Sequence, residues 1–300
     1  MYNIQLVKQI FAIGILATLV GACTKGYDPD TAPEAKQDVE VAFSAKANFS
    51  VTYTRAGEQT YNGVIGAVNV LDKWEFAPSE VTFDGLVGNA ATAQSVQTNP
   101  ESVVMPTGNY TFVTCAVSGG GSVVIDDAQV TLTGGEQTPD NDVVWCKTPA
   151  TVTKMASGEP YAVSFDYAHT FSAVRFELNA EGKNPDQLMA ETSLQGVSNL
   201  RLATNGVMDI KSGVITPAQD VLGADSDIDW KTNYLVLPGQ SQAGELAITY
   251  RGTEYKGTLP AKNFVAGQRT VVSITLNTAT LTFAATVREW EVVEEKVTLE

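Results

Sequence analysis

The sequence predicts an all-β protein built from two antiparallel β-sandwiches in tandem. The first observation is an alternation of apolar and polar side chains with period two, in short runs separated by turn residues, from Val41 onward. The second is the near absence of helix signals, the best being residues 184–190, with a capping residue and a proline in the first turn. Many short strands at this spacing are typical of sandwiches.

Ten segments carry the strand pattern, and a break divides them. The segments are 42–53, 110–117, 130–133, 142–146, 161–167, 171–178, 234–237, 246–250, 271–276 and 281–287. The break at 156–160 contains Gly158 and Pro160 and leaves two parts of ordinary domain size. We therefore expect an N-terminal sandwich over 41–160 and a C-terminal sandwich over 161–300. Gly119-Gly120-Gly121 also predicts a hairpin turn after the 110–117 strand.

The start of the chain has the features of a bacterial lipoprotein. Residues 1–22 place Lys8 before an apolar run that ends in small residues, which is typical of a secretory signal and too short for a membrane-spanning helix. The sequence Leu19-Val20-Gly21-Ala22-Cys23 resembles the lipobox, at which the signal peptide is removed and Cys23 is acylated. Residues 23–40 are polar without an apolar period, so we expect a lipidated tether at the membrane surface.

The charge balance and the residue counts exclude several function classes. Acidic side chains outnumber basic ones 34 to 19, which gives a formal net charge of −15. This excess opposes binding to nucleic acid. One histidine and three cysteines leave little for a zinc site or for histidine catalysis. We expect no enzyme activity, no cofactor and no metal, although the 34 acidic side chains leave a hydrolase with paired carboxylates open as an alternative.

Two polar groups suggest chemistry, but a structural interpretation suits both better. His169 lies near Asp166, yet no nucleophile elbow of the Gly-x-Ser-x-Gly type accompanies it, so we expect a structural histidine. Asp225, Asp227 and Asp229 alternate as in a calcium loop, but the glycine and the last glutamate of that loop are missing. A solvated acidic loop is the better interpretation.

The remaining cysteines and the tryptophans leave alternatives open. Cys115 and Cys146 both lie on strands among valines, so they form either a disulfide or two buried free thiols. Trp74, Trp145, Trp230 and Trp290 form either a sugar-stacking platform or part of the core. The platform would make the chain a surface-anchored, glycan-binding lipoprotein.

Several segments together resemble the fimbrillin family of Bacteroidetes, the lipoprotein-derived subunits of type V pili. In chain order they are the lipobox at Cys23, Thr54-Arg55-Ala56, Met105-Pro106-Thr107-Gly108-Asn109-Tyr110-Thr111-Phe112, His169-Thr170-Phe171-Ser172-Ala173-Val174-Arg175-Phe176, Tyr234-Leu235-Val236-Leu237-Pro238 and Phe264-Val265-Ala266-Gly267-Gln268. The resemblance spans most of the mature chain. It implies two tandem transthyretin-like sandwiches, which agrees with the strand pattern.

The resemblance also implies a mode of assembly. In the family, an arginine-specific protease cuts after the first strand, and a C-terminal strand of a neighbouring subunit fills the groove that this opens. Here the cut would follow Arg55 and leave Ala56 as the new N-terminus. The donor strand would come from residues 287–299, with side chains that we list together: Val287, Trp290, Val293, Val297 and Leu299.

The implied setting is the outer membrane and the cell surface. The partners would be other pilus subunits, in self-polymers or mixed assemblies, the outer membrane through the lipid, and a host or bacterial surface glycan or protein as adhesion target. Asp30-Thr31-Ala32 resembles a short O-glycosylation motif of exported proteins in that phylum, which makes Thr31 a candidate site.

Three alternatives to this mode of assembly stay open. Glutamates interrupt the donor parity at Glu289, Glu291 and Glu295, so the tail either needs a β-bulge or folds back on its own domain. Arg55 is either the processing site or an exposed loop arginine. A subunit that keeps its lipid and its first strand would be a non-polymerising anchor.

Overall fold

The structure is a computed structural model, and almost all of its elements are β-strands. It describes residues 36–47, 59–85, 94–95, 97–98, 103–119, 123, 125–126, 128–180, 184–196, 202–218, 222, 227–240, 244–259, 261–277 and 282–289. In this part of the chain, no helix is long and apolar enough to cross a membrane.

The described elements of the first half are eleven strands. In chain order they are β1 Asp38–Ala47, β2 Gln59–Asn69, β3 Trp74–Gly85, β4 Gln94–Ser95, β5 Gln97–Thr98, β6 Val103–Pro106, β7 Gly108–Ser118, β8 Ile125–Asp126, β9 Gln129–Thr133, β10 Gly135–Glu136 and β11 Val143–Val152.

The second half holds the remaining strands and one helix. They are β12 Tyr161–His169, β13 Ser172–Ala180, α1 Pro185–Ala190, β14 Thr192–Gly196, β15 Asn205–Asp209, β16 Ile215–Pro217, β17 Asp227–Ile228, β18 Asn233–Val236, β19 Gly239–Gln240, β20 Gly244–Tyr250, β21 Thr253–Leu259, β22 Asn263–Phe264, β23 Arg269–Asn277 and β24 Thr282–Glu289.

The largest sheet has nine strands and is nearly closed. Its order is β4-β1-β12-β11-β7-β2-β3-β5, and β6 also pairs with β1. β3 and β4, which lie near opposite ends of this order, contact each other. The enclosed side chains form what we call the first core, which includes Val41, Phe43, Ile65, Phe112 and Phe165. Closure of this kind leaves few free strand edges.

A second core is drawn from two sheets of the C-terminal half. One sheet has the order β10-β18-β13-β23-β24 and the other the order β17-β14-β20-β21. The second core includes Val174, Phe176, Leu194, Ile248 and Val272. The helix α1 contributes Leu188, and its first turn is capped by the Asn184 side chain. The predicted short helix is therefore confirmed.

A third cluster, the middle core, connects the two halves. The sheet β16-β15-β9-β8 joins strands from both halves, because β9 pairs with β15. The pairing of β10 with β18 is a second such connection. The middle core includes Val113, Cys115, Leu132, Met208 and Leu235. β7 lies between the first and the middle core, so its side chains are buried on both faces from Phe112 to Ser118.

The all-β prediction is confirmed, whereas the expectation of purely antiparallel sheets is wrong at two places. β1 runs parallel to β12, and β13 runs parallel to β23. β1 and β12 both contribute to the first core, and β13 and β23 both contribute to the second core. In each core, two strands that lie far apart in the chain are therefore parallel neighbours. Parallel neighbours need a long crossover connection, which the local turn pattern of a sequence does not show.

The first core also extends beyond the predicted domain limits. β1 begins at Asp38, inside the segment expected to be the tether, and Val39 is buried. β12 follows the expected boundary at 160, yet its inward side chains Val163, Phe165 and Tyr167 belong to the first core. The core that begins with β1 is thus completed by the strand that leads into the second half.

The predicted hairpin after β7 is wrong. β7 pairs with β2 and β11, whereas β8 pairs with β9. Gly119 does form a turn, with φ +63, and a side chain there would collide with Asp140. The chain leaves the large sheet at this turn and builds the sheet that connects the halves.

Candidate functional site

The candidate site is the position that β1 occupies in the large sheet, which we call the slot. On one side β1 pairs in parallel with β12, from Val41 opposite Tyr161 to Ala47 opposite Tyr167. On the other side it pairs antiparallel with β6 and, further along, with β4. Backbone hydrogen-bonding partners therefore flank β1 on both sides.

Four side chains of β1 point into the first core. Val39, Val41, Phe43 and Ala45 are at most 7% exposed, whereas Asp38, Glu40 and Ala42 between them are exposed. This is the two-residue period of a strand with one buried face. The slot therefore has four pockets, sized for two valines, an aromatic ring and a methyl group.

The third pocket is an aromatic box around Phe43. The Phe43 ring meets Phe112 edge-on, with ring centroids 5.7 Å apart, and stacks on Phe165 at 5.8 Å. Tyr167 extends the cluster from Phe165 at 6.0 Å. Such ring pairs stabilise a protein beyond the contribution of the apolar area that they bury. Phe43 is therefore the strongest single anchor of β1.

The turn between β6 and β7 fixes the start of β1. The Thr107 backbone N–H donates to the Gln37 carbonyl at 2.7 Å, and the Gln37 N–H donates to Thr107 Oγ1 at 3.3 Å. The Tyr110 hydroxyl donates to the Pro106 carbonyl at 2.8 Å. Burial, with the nearby Glu75 carboxylate, raises the pKa of Tyr110. The segment 105–112, which resembles the fimbrillin pattern, thus contains the β6–β7 turn that holds the start of the first strand.

A buried polar network lies at the end of β12. His169 Nδ1 contacts Asp142 Oδ1 at 2.7 Å, and the Tyr61 hydroxyl donates to Asp142 Oδ2 at 2.9 Å. The Asp142 backbone N–H donates to Ser118 Oγ at 3.0 Å. Burial first, then the Asp142 charge, raises the pKa of Tyr61 far above its ordinary value. This network ties β2, β7 and β12 together.

The partner of His169 is thus Asp142, and not Asp166, the partner considered from the sequence. Asp166 is exposed on the outer face of β12. The pairing of His169 with Asp142 is non-local in sequence, so no spacing rule could find it. Among the described residues, no group of three or more His, Cys, Asp or Glu side chains could hold a metal ion.

Cys115 and Cys146 are both free thiols in the structure. Their strands are neighbours, with Cys115 opposite Trp145 and Cys146 opposite Thr114, so the two side chains point to opposite faces of the sheet. Cys115 lies in the middle core and Cys146 in the first core. Burial raises the pKa of Cys115 to about 12 and also raises that of Cys146. The geometry therefore matches the alternative of two buried thiols.

The three described tryptophans do not form a platform. Trp74 and Trp145 pack against the middle core, and Trp230 packs against the second core. The Lys211 ammonium lies 4.9 Å from the centre of the Trp74 ring, and Trp145 Nε1 donates to the Ile210 carbonyl at 2.8 Å. Trp74 and Trp145 thus serve the packing of the middle core and Trp230 that of the second core, which matches the alternative of core tryptophans.

Several predicted site residues lie outside the described part of the chain. They are Cys23, Thr31, Arg55, Ala56, Trp290, Val293, Val297 and Leu299. Val287, predicted as a donor residue, lies within β24 and is in register with Val272 of β23. β24 therefore pairs with a strand of the same chain as far as Glu289.

The sequence-based expectations missed the four-pocket pattern of β1. Placing the strand start at Ala42 concealed the alternation of Val39, Val41, Phe43 and Ala45, which is visible in the sequence once Val39 is included. The aromatic box could not be found in this way, because Phe112 and Phe165 come from distant strands. No local signal links them to Phe43.

Comparison with known proteins agrees with this architecture. Residues 39–290 match the model of the family described as Fimbrillin-like. A candidate cell adhesion protein of Bacteroides uniformis superposes with a TM-score of 0.59 at 19% identity, covering 84% of this chain and 98% of that one. A fimbrial assembly protein of Parabacteroides distasonis gives a TM-score of 0.50 at 11% identity, covering 85% and 96%.

These structural likenesses concern the fold, because the identities are low. No protein of curated function matches the sequence. The family match, in contrast, spans most of the chain, from the first buried residue of β1 to the residue after β24. The chain therefore belongs to the fimbrillin-like family, a non-enzymatic family.

Proposed function

We propose that the protein is a structural subunit of a cell-surface pilus. It is exported as a lipoprotein with its lipid on Cys23, held at the outer membrane by the segment before β1, and assembled by exchange of β1 for a strand of another subunit. The first core and the second core each correspond to one transthyretin-like sandwich of the family. Family membership supports the setting, and the geometry of β1 supports the exchange.

The observation that carries this proposal is that β1 fills a complete strand position with a single buried face. If it left, the slot would expose four apolar pockets together with the edges of β12 and of β6. Burying a large apolar side chain such as valine or phenylalanine stabilises a protein by roughly 1.5–3 kcal/mol. An incoming strand would regain this burial and the main-chain hydrogen bonds, as in other strand additions.

The processing step fits the chain order. Arg55 lies between β1, which ends at Ala47, and β2, which begins at Gln59. A cut after Arg55 separates β1 from the rest of the chain and leaves Ala56 as the new N-terminus, while the other strands of the first core stay covalently connected. The proposal requires only this one cut, because the lipid and β1 then leave together.

The donor strand of this chain starts after β24. Val287 pairs within the chain, so we assign the donor to the segment that follows Glu289, with Trp290, Val293, Val297 and Leu299 as its apolar side chains. This segment would enter the slot of a neighbouring subunit. The partners are thus other pilus subunits, with an adhesion target at the surface of a host or bacterial cell.

The decisive experiment is N-terminal sequencing and intact mass measurement of the protein from its native host. Material sheared off the cells is compared with material left in the membrane. We expect sheared protein to begin at Ala56 and membrane-bound precursor to begin at acylated Cys23. If every molecule begins at Cys23 and stays in the membrane, the exchange proposal is wrong and the chain is an anchor.

A further inference from the structure

The four pockets of the slot and the C-terminal segment of the same chain do not match. β1 fills the pockets, in order, with Val39, Val41, Phe43 and Ala45, all uncharged. The segment 290–300 reads Trp-Glu-Val-Val-Glu-Glu-Lys-Val-Thr-Leu-Glu, and a strand offers only alternate residues to one face. Every set of four alternate residues in it contains at least one glutamate or lysine, in either strand direction.

The best frame shows the misfit in detail. It places Val293, Glu295, Val297 and Leu299 in the pockets of Val39, Val41, Phe43 and Ala45. Glu295 would then replace a side chain that is 3% exposed, between Val103 and Tyr161 in the neighbouring strands. Leu299 would have to fit a pocket made for a methyl group.

Among the described residues, the first core is built from apolar, tyrosine and cysteine side chains, so it holds no cation that could pair with a buried carboxylate. The buried Asp, Glu, His, Lys and Arg side chains in the described part of the chain are Asp142 and His169, and they bond each other. The pocket next along the strand is the aromatic box of Phe112 and Phe165. Burial of an unpaired carboxylate is strongly unfavourable. A single β-bulge does not help, because every frame with one extra residue still includes a glutamate or a lysine.

We infer that the slot accepts a strand from a different kind of subunit, with four uncharged alternating side chains of which the third is aromatic, and not residues 290–300 of a second copy. This inference rests on the proposed strand exchange and deepens it. It makes the chain one member of a mixed assembly. Its own C-terminal segment, with carboxylates on both faces, would enter a slot of different character in another subunit.

The test uses the full mature chain with residues 52–57 replaced by the site of a sequence-specific protease. After cleavage, labelled peptides compete with β1 for the slot, and their binding is measured by fluorescence anisotropy. One peptide has the β1 sequence 36–47 and one has the native sequence 288–300. We expect the native C-terminal peptide to bind at least about 100-fold more weakly than the β1 peptide, because it buries an unpaired charge.

Two matched peptides separate the effect of charge from that of order. The first carries Glu295→Val, Val297→Phe and Leu299→Ala, which reproduces the order of the β1 pockets and should regain most of the lost affinity. The second carries Glu295→Val, Val297→Ala and Leu299→Phe, which has the same composition with the last two positions exchanged. It should stay about tenfold weaker or more, because the ring then meets the smallest pocket.

The outcomes are distinguishable. Native C-terminal peptide that binds within about tenfold of the β1 peptide would overturn the inference and leave the strand exchange intact. A β1 peptide that fails to rebind the cleaved protein would overturn the exchange itself, and the inference with it. As a readout on the whole chain, cleaved wild-type protein should stay monomeric alone, whereas the chain with the first triple substitution should form polymers. Polymers of the wild-type chain alone would contradict the inference.

Discussion

The strands β1 and β13 have similar neighbours in the first and the second core, yet they differ in how they are packed. β1 runs parallel to β12 and antiparallel to β6, and β13 runs parallel to β23 and antiparallel to β18. The first of those antiparallel strands, β6, ends with Pro106, and the second, β18, is followed by Pro238. Their pairing is therefore alike, and the difference must come from packing and connection.

The packing of β13 differs because both of its faces are covered. Ser172, Ala173 and Val174 are consecutive and all fully buried. Ala173 belongs to the middle core and Val174 to the second core. β1 shows strict alternation and contributes to the first core alone. Removing β13 would open two cores, whereas removing β1 opens one, so exchange is plausible only at the strand with a free face.

The largest expected effect comes from placing a charge on each of the two strands. Val174→Asp should prevent folding, because an unpaired buried carboxylate costs ~5 kcal/mol or more, comparable with the stability of a whole domain. Val41→Asp should release β1 and leave the second core folded. Hydrogen exchange of the β12 and β23 amides in the Val41→Asp variant checks this: we expect fast exchange in β12 and slow exchange in β23. Equal loss of protection in both strands of that variant would contradict the comparison.

The second prediction concerns the aromatic box. Phe43→Ala should destabilise the docking of β1 by about 3–5 kcal/mol, because it empties the pocket between Phe112 and Phe165. In protein cleaved between β1 and β2, β1 should then dissociate more than 100-fold faster. The matched control is Ala42→Ser on the exposed face, with an effect within about 0.5 kcal/mol. Similar dissociation rates for the two variants would show that Phe43 does not anchor the strand.

Alkaline pH should lower the stability of the first core, which is a smaller effect than the two above. Burial raises the pKa values of Tyr61 and Tyr167 in the first core far above their ordinary value, and it raises the pKa of Cys115 in the middle core to about 12. The folded protein keeps protons that the unfolded chain releases above the ordinary values, so stability falls as pH rises. The loss is about 1.4 kcal/mol per pH unit for each tyrosine above pH ~10.

Tyr61→Phe removes one of these contributions. Urea titrations between about pH 9 and pH 12 should show a shallower loss of stability for this variant than for wild type. The control is Tyr255→Phe, since Tyr255 is only partly buried, at the edge of the second core. Parallel pH profiles for wild type and Tyr61→Phe would contradict this prediction.

The smallest expected effect is that of a reducing agent, because the two thiols cannot meet. The melting temperature should be the same with and without dithiothreitol, and maleimide should label Cys115 and Cys146 only after unfolding. A lower melting temperature under reduction would indicate a disulfide and would contradict the opposite orientation of the two side chains.

The sequence was informative for several strands with one face in solvent, although its pattern missed others of this kind, such as β21. The alternation of β1 and β12 is visible as apolar and polar residues in turn, and α1 is marked by Asn184 and Pro185. It also predicted β7 and β13 as strands, but not that both of their faces are covered, since Thr114 and Ser172 are buried there like apolar residues. Burial of such small polar side chains depends on distant neighbours, such as the Tyr167 hydroxyl 2.8 Å from Thr114.

The parts of the site that could not be predicted are those built by long-range contacts. The pairing of Asp142 with His169, the box around Phe43 and the direction of β1 each join segments far apart in the chain. The alternation of Val39, Val41, Phe43 and Ala45 was available from the sequence alone. The lining of the pockets was not.

The sheet shared between the halves has a mechanical consequence for a subunit under load. β9 and β15 come from different halves, and so do β10 and β18, so a pull that separated the halves would have to break two sets of backbone hydrogen bonds. It would also have to expose the middle core to water. The two halves should therefore stay together under tension, and in the proposed pilus any bending would fall at the joints between subunits.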